Sequence, residues 1–113
     1  MPNTGDYFVH PLSDVSTKSV GHGTRIWQYS VVLPGAQIGA ECNINSHTFI
    51  ENDVQIGNRV TVKSGVALWD GLEVHDDVFI GPGVIFSNDK YPRSKAYMDA
   101  FPRTTIHQGA SIG

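Results

Sequence analysis

The sequence has few of the features that define several large classes of protein. Its 113 residues include one cysteine, Cys42, so a disulfide within the chain is impossible. It also lacks an apolar run of the roughly 18 residues that a membrane-crossing helix needs, and a signal peptide. We therefore expect a cytoplasmic protein with no membrane association, in which Cys42 is a small core residue rather than a nucleophile.

Basic charge and catalytic motifs are scarce as well. Eight Lys and Arg stand against eleven Asp and Glu, and no basic run occurs, so nucleic-acid binding has no electrostatic support. The five histidines show no short pair spacing, so no metal is expected. Dinucleotide, P-loop and serine-hydrolase motifs do not occur either.

The sequence does contain a regular hexapeptide repeat. An apolar residue returns at every sixth position, a period that fits neither a helix nor a simple alternating strand. We call these residues the inner series: Val20, Ile26, Val32, Ile38, Ile44, Ile50, Ile56, Val62, Leu68, Val74, Ile80 and Phe86.

A second, mostly small series follows each inner residue by four positions and includes Cys42. Between the two series the sequence is rich in turn pairs such as Pro-Gly, Asn-Asp and Asp-Gly. Each hexad therefore predicts a short strand followed by a turn. Such a unit cannot bury its apolar residue alone, so successive units must coil and stack into an all-β solenoid.

The repeat divides the chain into four segments within one domain, 1–113. Residues 1–19 predict an irregular N-terminal coil and residues 20–86 the regular coils. Residues 87–105 predict a long excursion loop, and residues 106–113 begin the next coil. Long loops in compact folds are usually functional or disordered, and the aromatic content favours order here. Because the chain stops inside a turn, we expect it to be a fragment of a longer protein with further coils.

Four strings carry a resemblance to a known family. The hexads resemble those of left-handed parallel β-helix acyltransferases. More narrowly, the chain is similar to N-acetyltransferases that act on nucleotide-linked 3-amino sugars, in particular the dTDP-3-amino-3,6-dideoxyhexose branch. The strings are TRIWQYSVV at 24–32, NSHTFIENDVQIGNRVTVKSGVALWDG at 45–71, DDVFIGPGVIFSNDKYPRS at 76–94 and FPRTTIHQGASIG at 101–113.

The resemblance implies a left-handed β-helix in which three hexads make one coil of three short strands, with one long loop inserted after the fourth coil. Neighbours of the inner series then point outward on three faces. Gln37, Gln55 and Glu73 make the first face solvated, the second face is mixed, and the third is apolar. An apolar outer column is usually an interface. We expect a homotrimer through the third face, which bears Val31, Leu33, Phe49, Ala67, Trp69 and Ile85.

The turns on either side of the third face hold the candidate site. The turn that leaves this face stacks Asn52, Asp70 and Asn88 in one column and Asp53, Gly71 and Asp89 in the next. For the residues before Asn88, ordinary turn chemistry is the competing interpretation. The turn that enters the face carries Tyr29, His47, Gly65 and Gly83 in register. If subunits pack through this face, His47 approaches Asn88 and Asp89 of a neighbour.

Carried over from the resemblance, the catalytic residues are Asn88, Asp89 and His47. The substrate-binding residues are Glu51, Trp69, Asp70 and Arg93, of which Arg93 follows Pro92 in the loop motif. Acetyl-CoA is the implied acetyl donor. Its binding residues are unknown and are expected mostly on coils beyond residue 113.

The implied function is acetyl-CoA-dependent N-acetylation of a nucleotide-linked 3-amino-deoxysugar for surface-polysaccharide biosynthesis, including lipopolysaccharide O-antigen or S-layer glycans. One alternative is an O-acetyltransferase on the same scaffold. Another is a non-catalytic structural or assembly domain fused to a partner enzyme. The sequence leaves open which hexose, epimer and nucleotide base the substrate carries, and which group is the general base.

Overall fold

The computed structural model describes residues 6–97 and 102–113, and within them every regular element is a short β-strand. No helix in this part of the chain is long and apolar enough to cross a membrane. The strands are β1 (Phe8–Val9), β2 (Asp14–Val15), β3 (Arg25–Ile26), β4 (Val31–Val32), β5 (Gln37–Ile38), β6 (Asn43–Ile44), β7 (Phe49–Ile50), β8 (Val54–Ile56), β9 (Thr61–Val62), β10 (Ala67–Leu68), β11 (Leu72–Val74), β12 (Phe79–Ile80), β13 (Thr104–Ile106) and β14 (Ser111–Ile112).

The described strands form three parallel sheets, and successive strands of the chain pass from one sheet to the next. Sheet A has the order β1-β3-β6-β9-β12-β14, sheet B has β10-β7-β4-β2, and sheet C has β13-β11-β8-β5. In the regular part, paired residues are three hexads apart, as Arg25 and Asn43 are. These are stacked coils of three strands, the architecture of the left-handed parallel β-helix, and the predicted fold class is confirmed. Sheets C, A and B correspond to the first, second and third faces.

Three columns of turns, which we call corners, connect the sheets. Corner AB, between sheets A and B, comprises 27–30, 45–48, 63–66 and 81–84. Corner BC comprises 33–36, 51–53, 69–71 and 87–88. Corner CA comprises 21–24, 39–42, 57–60, 75–78 and 107–110. Each corner stacks equivalent turn residues of successive coils, so one sequence position in the repeat occupies one column in space.

The core is built from the inner series together with the small series. Ile26, Ile44 and Ile50 are fully buried, and Cys42 is buried with them, as predicted. Two buried polar members of the small series bond to backbone: the Thr24 hydroxyl donates to the carbonyl of Gly39 at 2.7 Å, and that of Ser30 to Asn45 at 2.9 Å. Their burial therefore leaves no unpaired hydroxyl to penalise the fold.

The N-terminal coil is shorter than the others by a single position. Phe8 pairs with Arg25, whereas the regular spacing would reach Ile26. Asp14 likewise pairs with Val31, one position before the regular partner. Val20 then forms an isolated bridge to Ile38 at the full spacing of three hexads. The short step in the inner pattern before Val20 therefore reflects a shortened coil, which adds strands to sheets A and B and a single bridge beside sheet C.

One coil contains a long detour between corner BC and sheet C. Phe79 pairs with Ser111, whereas the regular spacing of three hexads would reach Tyr97. Val84 and Phe86 pack against the core. Residues 85–86 nevertheless form no strand, which differs from the pattern of earlier coils. The Trp69 indole nitrogen donates to the carbonyl of Phe86 at 3.0 Å, so a side chain binds the backbone where a strand would pair.

Candidate functional site

Asn and Asp side chains at corner BC cap the backbone of the preceding coil. Asn52 Oδ1 accepts a hydrogen bond from the Gly35 N–H at 2.9 Å, and Asp70 Oδ1 accepts one from the Asp53 N–H at 2.8 Å. Both bonds are exposed. Each side chain binds an amide that parallel pairing leaves free at the turn, which is the contact expected from turn chemistry.

Corner CA contains the same arrangement. Asn58 Oδ1 accepts from the Ala40 N–H at 2.8 Å, and Asp76 Oδ1 accepts from the Asn58 N–H at 2.7 Å. The two corners thus use one capping device at equivalent positions. Capping therefore explains one side-chain oxygen of Asn52 and one of Asp70. The predicted role of Asp70 in substrate binding is a separate hypothesis.

Asn88 breaks this pattern because it donates where the others accept. Its Nδ2 donates to the carbonyl of Asp70 at 3.0 Å. The Asp70 N–H in turn donates to Glu51 Oε1 at 2.8 Å. With Trp69 beside Asp70, the structure thus brings together four predicted site residues of three successive coils. Glu51 adjoins a small depression through its bond to Asp70, and the other three line it. The lining residues are Trp69, Asp70, Gly71, Leu72, Phe86, Ser87, Asn88 and Thr104.

Asp89 begins the excursion loop beside Asn88. Its Oδ1 accepts from the Tyr91 N–H at 2.9 Å, and the Ser87 hydroxyl donates to its carbonyl at 3.2 Å. These local bonds form a tight turn that holds Asp89 partly buried at the end of the polar column. The turn fixes the direction in which the loop leaves the solenoid.

Arg93 lies further along the same loop and is exposed. Its Nη1 donates to the carbonyl of its neighbour Pro92 at 3.3 Å. Among the described residues no hydrogen bond or ion pair joins Arg93 to the depression. A phosphate contact from Arg93 therefore remains a prediction that requires the loop to meet a ligand or a second subunit.

His47 lies at corner AB, on the other side of sheet B from Asn88. Its backbone φ is 59°, and its ring lies 5.1 Å from that of Tyr29 at an interplanar angle of 45°. His47 and Asn88 are thus separated by the width of a sheet. Within one chain, His47 therefore lies apart from Asn88 and Asp89, which are adjacent.

The outer surface of sheet B is apolar, as predicted for the third face. Phe49 and Trp69 have ring centroids 5.6 Å apart, and both are half-buried in the single chain. Ile85, at the end of the same column, is 90% exposed. This surface lies between corner AB, which carries His47, and corner BC, which carries Asn88.

Sequence reasoning missed Arg103, which lies at the end of the excursion loop. Its guanidinium forms an ion pair with the Asp53 carboxylate, and the next residue, Thr104, donates its N–H to the carbonyl of Gly71 at 2.9 Å. The returning loop is thus fastened to corner BC. Arg103 lies just before the inner series resumes at Ile106, and this position could have indicated a residue that fastens the returning loop.

The detour also brings His75 and His107 together, although the regular spacing would place Arg93 beside His75. The two histidine ring centroids are 5.6 Å apart in an edge-on arrangement, and His75 Nε2 lies 3.5 Å from Glu73 Oε2. Within residues 6–97 and 102–113, no three His, Cys, Asp or Glu side chains have the geometry to hold a metal ion. This pair could not be predicted from the repeat spacing, because the detour lengthens the coil between the two histidines.

Three titratable groups outside the depression, Arg59, Asp77 and Cys42, have shifted pKa values. A hydrogen bond from Arg59, 2.7 Å from Asp77, lowers the pKa of the Asp77 carboxyl. Burial raises the pKa of the Cys42 thiol. A high thiol pKa disfavours the reactive thiolate, which agrees with a structural role for Cys42.

Residues 17–52 match the family described as bacterial transferase hexapeptide (six repeats). The chain carries this hexapeptide repeat. The match falls on coils whose strands and turns follow the spacing of the inner series. The family resemblance predicted from the sequence is therefore confirmed.

Three curated proteins are similar to parts of this hexapeptide-repeat chain. A dTDP-3-amino-3,6-dideoxy-alpha-D-galactopyranose 3-N-acetyltransferase of Aneurinibacillus thermoaerophilus is 58% identical over 37 residues, 33% of this chain and 19% of that protein. The bifunctional protein GlmU of Bacillus velezensis is 39% identical over 77 residues, 63% of this chain and 16% of that protein. An acyl-[acyl-carrier-protein]–UDP-N-acetylglucosamine O-acyltransferase of Campylobacter concisus is 34% identical over 53 residues, 47% of this chain and 20% of that protein.

The matched stretches span about a fifth or less of each relative's length. The first similarity supports the 3-amino-sugar branch that the loop and turn strings predicted.

Proposed function

We propose that this hexapeptide-repeat protein is an acetyl-CoA-dependent N-acetyltransferase that acetylates the amino group of a nucleotide-linked 3-amino-deoxysugar. The observation that carries the proposal is the position of Asn88. It is bonded to Asp70 where the regular coils end and the excursion loop begins. The similarity to a sugar 3-N-acetyltransferase supports the same substrate class. We expect the reaction to take place in the cytoplasm, in the synthesis of surface polysaccharides.

The proposed active unit is a homotrimer that packs through the outer surface of sheet B. Ile85 is 90% exposed in the single chain, and an apolar column of this kind is stabilised when water is removed from it. In a closed cyclic assembly, corner AB of one subunit faces corner BC of the next. His47 of one chain then borders the same cleft as Asn88 and Asp89 of its neighbour, two coils or roughly 10 Å away along the solenoid axis. The site is complete only in the assembly.

The chemistry requires a neutral amine, because a protonated amine has no lone pair with which to attack. We assign proton acceptance to Asp89, which adjoins Asn88 at the interface, because His47 lies two coils from the level of Asn88. The Asn88 amide, fixed through Nδ2, has its carbonyl oxygen available to orient the sugar amine. Glu51, Trp69 and Asp70 form the wall against which the sugar ring lies, and Arg93 meets a phosphate.

Acetyl-CoA supplies the acetyl group as a thioester. No binding site for the CoA portion is assigned to residues 6–97 and 102–113. The contribution of this chain is to bind and orient the amino sugar. A regular outer surface with short turns leaves room along the corners for an extended ligand.

A second candidate function is O-acylation on the same scaffold. The similarity to a UDP-N-acetylglucosamine O-acyltransferase favours it. A hydroxyl acceptor needs a base throughout the reaction, whereas a neutral amine is itself nucleophilic. The two functions are therefore separated by comparing an amino sugar with its hydroxyl analogue.

The test is to incubate the full-length protein with acetyl-CoA and a dTDP-linked 3-amino-3,6-dideoxyhexose, and to follow release of free CoA thiol. Turnover with the amino sugar and little with the hydroxyl analogue is expected. Light scattering on the same sample should give the mass of a trimer. No thiol release with any nucleotide-linked amino sugar would exclude the proposal, and turnover with the hydroxyl analogue alone would favour O-acylation.

A further inference from the structure

Two aromatic rings form a ledge on corner AB. Tyr29 and His47 lie on adjacent coils with ring centroids 5.1 Å apart and ring planes tilted by 45°, and Tyr29 is 53% exposed. We call this pair the Tyr29–His47 ledge. Both residues have left-handed backbone conformations, with φ of 61° and 59°. Such a conformation is unfavourable for a bulky side chain, so the fold retains the Tyr29 ring at a cost in free energy.

The next two coils carry no side chain at the same position. Gly65 and Gly83 occupy the column with φ of 78° and 68°, and the space where a Cβ would lie is open at both. Beside them the hydroxyls of Ser46 and Ser64 lie 3.1 Å apart. Next to the ledge, corner AB therefore has an open surface without side chains in this column, bordered by the serine hydroxyls.

We propose that the Tyr29–His47 ledge binds the pyrimidine base of a nucleoside diphosphate by stacking. A planar base and an aromatic ring attract each other through π-stacking, and every base has such a face. The diphosphate would lie over Gly65, where the hydroxyl of Ser64 and the cation of Lys63 belong to the same turn. The inference rests on the proposed function, because it places the nucleotide end of that substrate.

The spacing along the solenoid fits this assignment. Coils stack at roughly 4.8 Å, so Tyr29 and Gly83 lie about 14 Å apart along the axis. Asn88 belongs to the same coil as Gly83, and in a cyclic trimer with its axis along the solenoid the neighbour's Asn88 lies at the same height. A diphosphate linkage can extend from a base at Tyr29 to a sugar at Asn88.

The test is calorimetric titration of the full-length protein and of Tyr29→Gly with thymidine 5′-diphosphate and with pyrophosphate. The substitution removes the ring and places the residue that best tolerates this backbone conformation, so folding is preserved. We expect affinity for thymidine diphosphate to fall by about 5- to 100-fold, the range typical of one lost stacking contact. Pyrophosphate affinity should change little. Tyr29→Phe retains the ring and should bind like the unmodified protein.

Glu41→Gly is the matched control. Glu41 has the same backbone conformation, with φ of 57°, but lies at corner CA, so its loss should leave nucleotide affinity unchanged. Three results would overturn the inference: no binding of thymidine diphosphate by the unmodified protein, equal affinity in Tyr29→Gly, or dissociation of the oligomer by Tyr29→Gly, which would make Tyr29 a subunit contact.

The outcomes separate this inference from the proposed function. If the protein N-acetylates the amino sugar but Tyr29→Gly binds the nucleotide with unchanged affinity, the proposed function stands and base binding by the Tyr29–His47 ledge is excluded. If Tyr29→Gly loses affinity for thymidine diphosphate but the unmodified protein acetylates no amino sugar, base binding by the ledge stands and the proposed function is excluded.

Discussion

Corners BC and CA both use Asn and Asp side chains to accept hydrogen bonds from backbone amides, and the two corners differ at Asn88. At corner CA, Asn58 and Asp76 accept hydrogen bonds from the preceding coil, and at corner BC, Asn52 and Asp70 do so. The bonds at corner CA are partly buried, and those at corner BC are exposed. The shared device is structural because it recurs where no function is predicted.

The difference begins at Asn88. Its amide donates to a carbonyl, and the chain then leaves the solenoid in the long detour instead of completing the next turn. Comparison with corner CA therefore separates capping residues from candidate site residues. An Asn that accepts from the preceding coil is explained by the turn, whereas the Asn that ends the column is not.

The largest expected effect is on catalysis at corner BC. Asn88→Ala and Asp89→Ala should each lower kcat/KM by about 100-fold or more, the range typical of losing a positioned polar group or base. Asn88→Ala also removes a partly buried bond to the Asp70 carbonyl and should lower the free energy of unfolding by about 1–3 kcal/mol, as is expected of Asn58→Ala, whereas Asp89→Ala should change it by less than about 1 kcal/mol. Thiol-release kinetics and urea unfolding measure the two effects.

Asn58→Ala at corner CA is the control for these variants, and its kcat/KM should stay close to that of the unmodified protein. Full activity of Asn88→Ala would mean that Asn88 only caps the turn, and the catalytic site would then lie elsewhere.

The next effect is on stability and should be larger at corner CA. Asn58→Ala leaves the partly buried Ala40 N–H without its acceptor, which typically costs about 1–3 kcal/mol. Asn52→Ala exposes the Gly35 N–H to water, which can replace the lost bond, so the expected cost is below about 1 kcal/mol. Urea unfolding at neutral pH compares the two. A greater loss in Asn52→Ala would contradict the link between burial and capping strength.

Arg103 tests whether the loop is fastened at corner BC. The ion pair with Asp53 is about half exposed, so Arg103→Ala should change the unfolding free energy by less than about 1 kcal/mol. The loop should nevertheless be cleaved faster by trypsin after Lys90, Arg93 or Lys95, because its return end is released. Time courses of limited proteolysis measure this.

Exchange of the two charges, Arg103→Asp with Asp53→Arg, should restore slow cleavage. Arg59→Ala breaks an ion pair at corner CA and serves as the control, with loop cleavage unchanged. Equal cleavage rates in Arg103→Ala and the unmodified protein would show that the ion pair does not hold the loop.

The smallest effect is a pH dependence at corner CA. The pKa of Asp77 is lowered by Arg59, so the folded state binds this proton less readily than the unfolded chain. The resulting stabilisation is present above about pH 4 and is lost as the pH falls through the lowered pKa. Asp77→Asn should therefore be less stable than the unmodified protein at pH 6 and nearly equal at pH 2. A constant difference over this range in urea unfolding would contradict the assignment.

Much of the fold could be predicted from the sequence because the repeat is local. Each hexad contains its own strand, turn and inward residue, so Ile44 or Leu68 could be placed in the core without knowledge of any partner. The strand at 85–86 was overpredicted. Its residues fit the repeat, but the loop that follows diverts the chain before a paired strand is complete.

The candidate site was predictable only in part. Trp69, Asp70 and Asn88 do line one depression and Glu51 is bonded to Asp70, because stacking turns equal spacing into proximity. His47 lies across sheet B and two coils away from Asn88, so the fold of one chain does not bring these two predicted residues together. Arg103 was missed because no repeat relates it to Asp53, which lies far earlier in the chain.

The sequence by itself determined the solenoid and its core, because the hexad period marks each inward residue by position. The corner that each turn residue occupies also required three hexads to a coil, which the family resemblance implied. Only the tertiary structure decided which side chains meet across the detour and how they are bonded. The Asn88 amide could have accepted, as Asn52 and Asn58 do, and instead donates to Asp70. The pairing of Arg103 with Asp53 and of His75 with His107 depends on the path of an irregular loop, which has no period to fix its contacts.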